Sequence, residues 1–389
     1  MAKDVSFKRR LENFNWGPGL FLIIYHLMLL VGLPLYFLNF STSWGMIITS
    51  SVLMYITGLS VTMGYHRLYS HTTYKLNPVV EAIMLFFATM ATQGSALRWS
   101  FDHRHHHAFV DTDRDPYSIK KGFWYAHFMW LFEKPKEIDM KVVSDLARSP
   151  LLRFQHKYYG ILNISTNVLA FLVLGWIFQD YLGAFLFGWL TRMFFLHHLT
   201  WFINSLAHTW GSRNFCQELS AVDNYIIALL TFGEGYHNYH HTFAYDYRNG
   251  IRWFHFDPTK WLIWGLYKLG LARQLRRVQK YQIVERVLVD RKRLILDQIH
   301  TSLHGQKEEW EKKVTAVIEN VTTNLKQVKK LTDSYYELKK SKEGKKDHLQ
   351  DLKHEIKALQ KTIKQEYQQW LELSRDFTDL SASQRSTPN

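Results

Sequence analysis

Apolar residues along this chain gather into four long runs almost free of charge, at 19–40, 44–65, 162–178 and 182–202. A helix of roughly 20 apolar residues crosses the hydrocarbon core of a bilayer, and the runs have about that length. Ser41, Thr42 and Ser43 alone separate the first two, and Gln179 and Asp180 lie between the last two. Linkers this short predict two tight antiparallel hairpins, each returning the chain to the side it left. Lys3, Lys8, Arg9 and Arg10 place that side in the cytoplasm. The run at 79–97 breaks the pattern, because it carries Glu81, Thr89, Thr92, Gln93 and Ser95. A span there would send residue 103 to the opposite side from residue 66. The expectation is a helix lying in the interface or packed against the spans. Residues 259–271, with Trp261, Trp264 and Tyr267, predict an amphipathic interfacial helix.

From about residue 283 the pattern becomes that of a long charged helix. Val314, Val317, Val321, Val328, Leu331, Tyr335 and Leu338 recur at spacings of three and four, with Asn324 in the seam. Leu349, Leu352, Ile356, Leu359, Ile363, Trp370, Leu373, Phe377 and Leu380 repeat the pattern, with Glu366 in theirs. This predicts a helical hairpin or coiled coil turning at Gly344, its seam open to water at Glu366. Residues 381–389 are expected to be disordered. The fold class is therefore mainly α: a four-helix transmembrane bundle with a cytoplasmic helical cap and a C-terminal helical or coiled-coil tail. The chain divides into a cytoplasmic lead-in at 1–16, a membrane domain at 17–275 and the tail at 283–389.

Composition sharpens this in three respects. Aromatics are 16% of the residues, with 14 Trp, as in proteins with aromatic belts at the bilayer surface. The net charge of +14 comes without any nucleic-acid motif, so an anionic membrane surface accounts for it better than nucleic acid does. The single cysteine, Cys216, excludes an intramolecular disulfide and a thiolate cluster. A basic start followed by a long apolar run without a small-residue cleavage site does not read as a cleavable signal peptide.

Histidines carry the chemistry. His66 and His71 flank Arg67-Leu68-Tyr69-Ser70, and His-x-x-His-His occurs twice, at His103, His106 and His107 and at His237, His240 and His241. Residues i, i+3 and i+4 of a helix share a face, so each triplet can converge on one point or on two neighbouring points. The two-hairpin topology brings every cluster, together with His208, to one side of the membrane. Nine imidazoles exceed what one ion takes, so two metals are expected, of the kind imidazole suits. His105 is displaced from the triplet face. His26, His127, His156, His197, His198 and His255 stand outside the boxes and read as packing, interfacial or supporting residues. His300, His304, His348 and His354 read as solvated.

The strings Gly-Tyr-His-Arg-Leu-Tyr-Ser-His, Asp-His-Arg-His-His-His and Gly-Glu-Gly-Tyr-His-Asn-Tyr-His-His resemble those of the membrane fatty acyl desaturases, in the stearoyl-CoA (delta-9) branch. The resemblance covers roughly residues 10–275. It implies a di-iron centre of two Fe ions, with His208 as ninth ligand and Asn204 holding an iron-bound water. Asn204 and His208, four residues apart, share a helix face by geometry alone. It further implies that Trp99, Gln93 and Thr200 bend the acyl chain at the metals and that Gly58 lies at the far end of the tunnel. Asp102, Lys120 and Lys121 would face the CoA headgroup. Glu234, Asn238 and Asp102 are expected to orient ligating imidazoles.

The activity so implied is O2-dependent insertion of a cis double bond, at C9–C10, into a saturated long-chain acyl-CoA. The membrane would be the endoplasmic reticulum or a bacterial inner membrane, with both termini cytoplasmic. Gly94 and Phe101 depart from the polar and basic groups the family places near the headgroup, which leaves CoA, acyl-carrier protein and glycerolipid open as carriers. No His-Pro-Gly-Gly haem motif is present, so electrons are expected from a separate donor, such as cytochrome b5 or ferredoxin with its reductase. The tail lies outside the family core: it forms a homodimer, docks a partner, or is a solvated appendage. Two rival readings stand beside this one. A membrane di-iron fatty acyl or alkane hydroxylase would insert oxygen, although such enzymes usually carry His-x3-His first. A non-enzymatic metal-binding membrane scaffold would use the tail to recruit partners.

Overall fold

In the computed structural model the described residues are 12–302, 307–341 and 346–385. Most of the lead-in, the turn at Gly344 and residues 386–389 lie outside them. The chain divides into two compact units. One holds the described residues through Asn214 together with Glu218–Arg277, and the other holds Phe215–Gln217 and the residues from Val278 onward.

In the first unit, α1 (Trp16–Asn39) and α2 (Trp44–Ser60) form a hairpin. Ser43 caps α2 by accepting a hydrogen bond from the Met46 backbone N–H at 3.1 Å. The helix continues without a break as a π-helical segment, Val61–Ser70. Next come α3 (Pro78–Met90), α4 (Ala96–Phe109), α5 (Phe123–His127) and α6 (Pro150–Lys157). The second hairpin pairs α7 (Tyr159–Phe178) with a consecutive run of Tyr181–Gly183, a π-helical Ala184–Thr191 and α8 (Arg192–Ser205).

Among the described residues three helices are long and apolar enough to cross a membrane: Trp16–Asn39, Trp44–Ser70 and Tyr159–Phe178. The fourth expected span is the run divided by its π-helical segment, no piece of which reaches that length alone. Leu30 and Leu38 on α1 are 71% and 80% exposed, a surface that suits lipid and not water, and the chain is an integral membrane protein. The two hairpin turns lie at one end of the bundle, where the Tyr36 hydroxyl donates to the Asp180 carboxylate. Asp180 also accepts from the Gly183 backbone N–H at 2.7 Å. With 13 residues, α3 is about 20 Å long, short of the ~30 Å hydrocarbon core, and it packs against α2 and α7. Arg192, a charge inside the fourth run, is buried and donates to the Gly188 carbonyl at 2.8 Å and to the Asn167 side chain.

Beyond α8 the chain forms α9 (Tyr225–Leu230), α10 (His237–Thr242) and α11 (Pro258–Lys268). A two-residue antiparallel ladder then pairs Lys75 with Arg273 and Leu76 with Ala272.

The second unit adds a third helix to the expected helical hairpin or coiled coil. Three helices, α12 (Lys280–Ser302), α13 (Lys307–Ser341) and α14 (Lys346–Arg385), share one core. Leu288, Ile295 and Ile299 of α12 supply the third face, and Ile318 and Leu325 widen the α13 stripe to meet it. Asn324 and Glu366, the two polar seam residues, face each other, with Asn324 Nδ2 donating to both carboxylate oxygens at 2.9 and 3.0 Å. Residues 381–385, expected to be disordered, continue α14.

Candidate metal centre

Two local devices aim the first box. On an α-helix, His66 and His71 would point roughly 140° apart, whereas i→i+5 bonding brings such a pair close to one face. The segment is π-helical, and the His71 backbone N–H donates to the His66 carbonyl at 3.2 Å. The second box lies on α4, which Ser95 caps through the Arg98 backbone N–H at 3.2 Å. The third lies on α10 after two glycines that admit no side chain. A Cβ on Gly235 would be 2.1 Å from the Ala228 backbone nitrogen. Gly233 has a φ of +98°, and a Cβ there would be 2.6 Å from an Asp257 oxygen. His208 closes a helical turn, Leu206–His208, directly after α8.

These elements gather nine imidazoles into two sets, His66, His71, His103, His107 and His240 in one and His106, His208, His237 and His241 in the other. Within each set the ligand atoms lie within 4.8 Å of one another. Both triplets are split, so that His103, His107 and His240 face the first set and His106, His237 and His241 the second. For each triplet the helix face alone fits one point or two, and in the structure each divides between two.

In the first set the Nε2-to-Nε2 distances are 2.9 Å for His66–His240, 2.8 Å for His71–His103 and 3.0 Å for His107–His240. In the second they are 3.3 Å for His106–His241, 3.1 Å for His208–His237 and 3.0 Å for His237–His241. Nitrogens bound at ~2.1 Å and at right angles to one ion lie ~3 Å apart. Burial, and then repulsion among neighbours, drives His71, His103, His107, His208, His237, His240 and His241 well below the usual histidine range. Neutral imidazoles whose ring nitrogens converge can offer their lone pairs to a cation, and the donors fit a pair of metal ions.

Partners of the other ring nitrogen fix the tautomers. His66 Nδ1 is 2.8 Å from Glu234 Oε2, His106 Nδ1 is 2.9 Å from Asp115 Oδ1, and His208 Nδ1 is 2.7 Å from Ser220 Oγ. Burial would raise Glu234, but His66 and Arg67 outweigh it and hold its carboxyl at about 2. Glu234, inside the third box, is legible from the sequence, whereas Asp115 and Ser220 are not. Asp115 lies nine residues beyond His106 and Ser220 twelve beyond His208, spacings that carry no signal of their own.

The remaining expected residues fall around this centre in different ways. Trp99 stacks on His103, with ring centroids 4.9 Å apart. Gln93 Nε2 donates to Thr200 Oγ1 at 3.0 Å. Asn204 is half-buried, one turn before His208. Asn238 Nδ2 donates to the Ala221 carbonyl at 2.9 Å, so this bond steadies the loop beside Ser220. Asp102 is gripped by Arg98 on its own helix, while Lys120 and Lys121 are exposed. The space beside Gly58 is filled, since a Cβ there would be 2.3 Å from the Phe232 ring. His105 turns outward, with Nε2 3.4 Å from Lys136 Nζ. His26, His198 and His127 form a separate chain, with successive ring nitrogens 3.2 and 3.1 Å apart, ending at Ser205 Oγ, 3.0 Å from His127.

Fold and site together define an integral membrane protein built around two buried imidazole clusters able to hold metal. The chain belongs to the fatty acid desaturase family, whose pattern matches residues 41–276. It is 39% identical over 286 residues to the "Probable acyl-CoA desaturase" of Schizosaccharomyces pombe, a match covering 72% of this chain and 60% of that protein. To "Acyl-CoA desaturase 1" of Saccharomyces cerevisiae it is 36% identical, over 71% of this chain and 54% of that protein. The match thus spans little more than half the length of these two relatives. To the "sn-1 stearoyl-lipid 9-desaturase" of Anabaena variabilis it is 33% identical, over 69% of this chain and 97% of that protein.

Proposed function

We propose that this protein is an O2-dependent desaturase that introduces a cis double bond at C9–C10 of a saturated long-chain acyl-CoA. The observation that carries the reading is the pair of imidazole sets, five and four strong, buried where the hairpins bring every box together. Two Fe ions bound there would supply the redox chemistry that uses O2 and two external electrons to remove hydrogen from adjacent carbons, both oxygen atoms leaving as water.

The nine imidazoles would hold the ions, and Glu234 would fix the tautomer of His66. Asn204 would hold a water on the ion of the smaller set. Trp99, packed on His103, with the Gln93–Thr200 pair, would bend the acyl chain beside the metals, and Gly58 with Phe232 would close its path. Asp102, Lys120 and Lys121 would face the headgroup. The names of the relatives include acyl-CoA and lipid-linked substrates, and we favour acyl-CoA on the yeast matches. Electrons would come from a donor such as cytochrome b5 or ferredoxin with its reductase, and both termini would be cytoplasmic.

The test is expression of the full chain in a host lacking its own desaturase, with double bonds located by mass spectrometry of total lipids. A cis-9 monoene is expected. An alcohol in its place would move the reading to a hydroxylase, and no product together with no redox-active iron would leave a metal-binding scaffold.

A further inference from the structure

We propose that Asp257 and Arg67 are positioning residues for the first imidazole set, acting through Glu234 on His66. The proposal rests on the two-iron reading above. Arg67 follows His66 in the chain but lies 1% exposed. Its guanidinium Nη2 donates to Glu234 Oε1 and to Asp257 Oδ1, both at 2.9 Å. Its Nη1 donates to Asp257 Oδ2 at 3.1 Å and to the Tyr247 carbonyl at 2.7 Å. The second oxygen of Glu234 faces His66 Nδ1 at 2.8 Å and accepts from Asn249 Nδ2 at 2.6 Å.

Asp257 is anchored in turn by the backbone N–H groups of Asn249 and Gly250, both at 3.0 Å, and of Lys260 at 2.9 Å. A buried chain therefore runs Asp257–Arg67–Glu234–His66. Its charges are two carboxylates and one guanidinium, with the buried Lys260 next to Asp257.

The physical case concerns orientation. A lone buried carboxylate beside an imidazole can rotate. Glu234 cannot do so freely, because the fixed fork of Arg67 holds one oxygen and leaves the other for His66. Nδ1 of His66 then carries the proton, and its Nε2 lone pair points into the set. Arg67 is tolerable in this interior because Asp257 balances it. The second set has a shorter backing, in which Asp115 also accepts from the Tyr117 backbone N–H at 3.2 Å, and Nδ1 of His237 has no hydrogen-bond partner among the described residues.

The test uses the purified full chain loaded with 57Fe(II). Mössbauer spectra resolve the two irons, and chelator-driven release of each is timed. Fewer than two irons in the unaltered protein would defeat the two-iron reading itself. With two bound, Asp257→Asn and Glu234→Gln should each speed release of one and the same iron by roughly 10–100-fold and shift its doublet alone. The Asp257→Asn/Glu234→Gln double variant should be no worse than Glu234→Gln.

Asp257 also caps α11, so Arg67→Gln and Arg67→Lys form a second series. Lysine restores the charge without the fork and should give intermediate release. Unchanged release, equal loss of both irons, or additive effects in the double variant would overturn the proposal.

Discussion

The two imidazole sets use one kind of ligand but are supported differently. The first has five members, and its His66 is backed by a buried carboxylate, guanidinium and second carboxylate. The second has four, backed by Asp115 at His106 and by a hydroxyl, Ser220, at His208. Both draw on α4 and α10, because positions i, i+3 and i+4 of each triplet divide between them. Two short helices thereby set the spacing between the sets, and neither set can shift alone. The difference teaches that ligand number and rigidity of backing vary together here. The larger set is locked, while the smaller one, with one imidazole fewer, is where the proposed function puts the Asn204 water.

The largest effect separates the sets most sharply. His240→Ala and His241→Ala should each abolish desaturation, assayed as monoene formed in a desaturase-deficient host. They should differ in metal content, His240→Ala depleting the five-membered set and His241→Ala the four-membered one. Activity surviving in either variant would remove that residue from the centre. Equal loss of both irons from both variants would show that the sets are not independent binding sites.

A smaller effect tests the backing of the weaker set. Asp115→Asn should lower iron retention there by roughly 10–100-fold, and Ser220→Ala by less, since a neutral hydroxyl makes the weaker hydrogen bond. Release timed by chelator competition checks both. If Ser220→Ala matched Asp115→Asn, the contrast drawn between charged and neutral backing would fail.

Much of this was legible in the sequence, and what was not has physical causes. The spans and the three boxes are periodic features, and periodicity survives without coordinates. The split of each triplet is not, since a shared helix face fits one point or two. The π-helical turn that swings His71 beside His66 is hidden because local composition does not set i→i+5 bonding. Arg67 beside His66 looks like an ordinary charge at a helix end, and only the folded chain brings Asp257 to it, 190 positions away. In the tail the seams of α13 and α14 were readable. The place of α12 was not, because Leu288, Ile295 and Ile299 mark an apolar face without saying which helices it packs on. Asn324 and Glu366 stand out in their seams as polar residues, but their pairing depends on the register between helices.

Chain-length selection lies further from either set and should respond more modestly. Gly58 packs directly on Phe232, and Tyr55 stacks edge-on to that ring at 5.0 Å. Gly58→Tyr must displace the ring and should shift products toward shorter acyl chains, whereas Phe232→Ala should favour longer ones. The shifts should be about tenfold or more in preference per methylene, read by gas chromatography of the fatty acids. Iron content should stay at the unaltered level in both. An unchanged product profile in both variants would remove this pair from the substrate path.

The smallest effect on the centre should come from the tail, which serves as the control for the whole comparison. Asn324 Nδ2 donates to both oxygens of Glu366 inside an otherwise apolar seam. Removing one partner strands the other, so Asn324→Leu alone should cost about 1–3 kcal/mol of bundle stability. The pair Asn324→Leu/Glu366→Leu should recover most of that loss, because replacing both polar groups with apolar ones removes the unmet hydrogen bond. Thermal unfolding of the full chain followed by circular dichroism measures both. Neither variant should alter the iron signature of either set, since the residues that back the imidazoles above, Glu234, Arg67, Asp257, Asp115 and Ser220, all belong to the first unit. A change in one doublet on tail substitution would show that backing for that set extends beyond the residues identified here, and it would break the contrast between a locked set and a loose one.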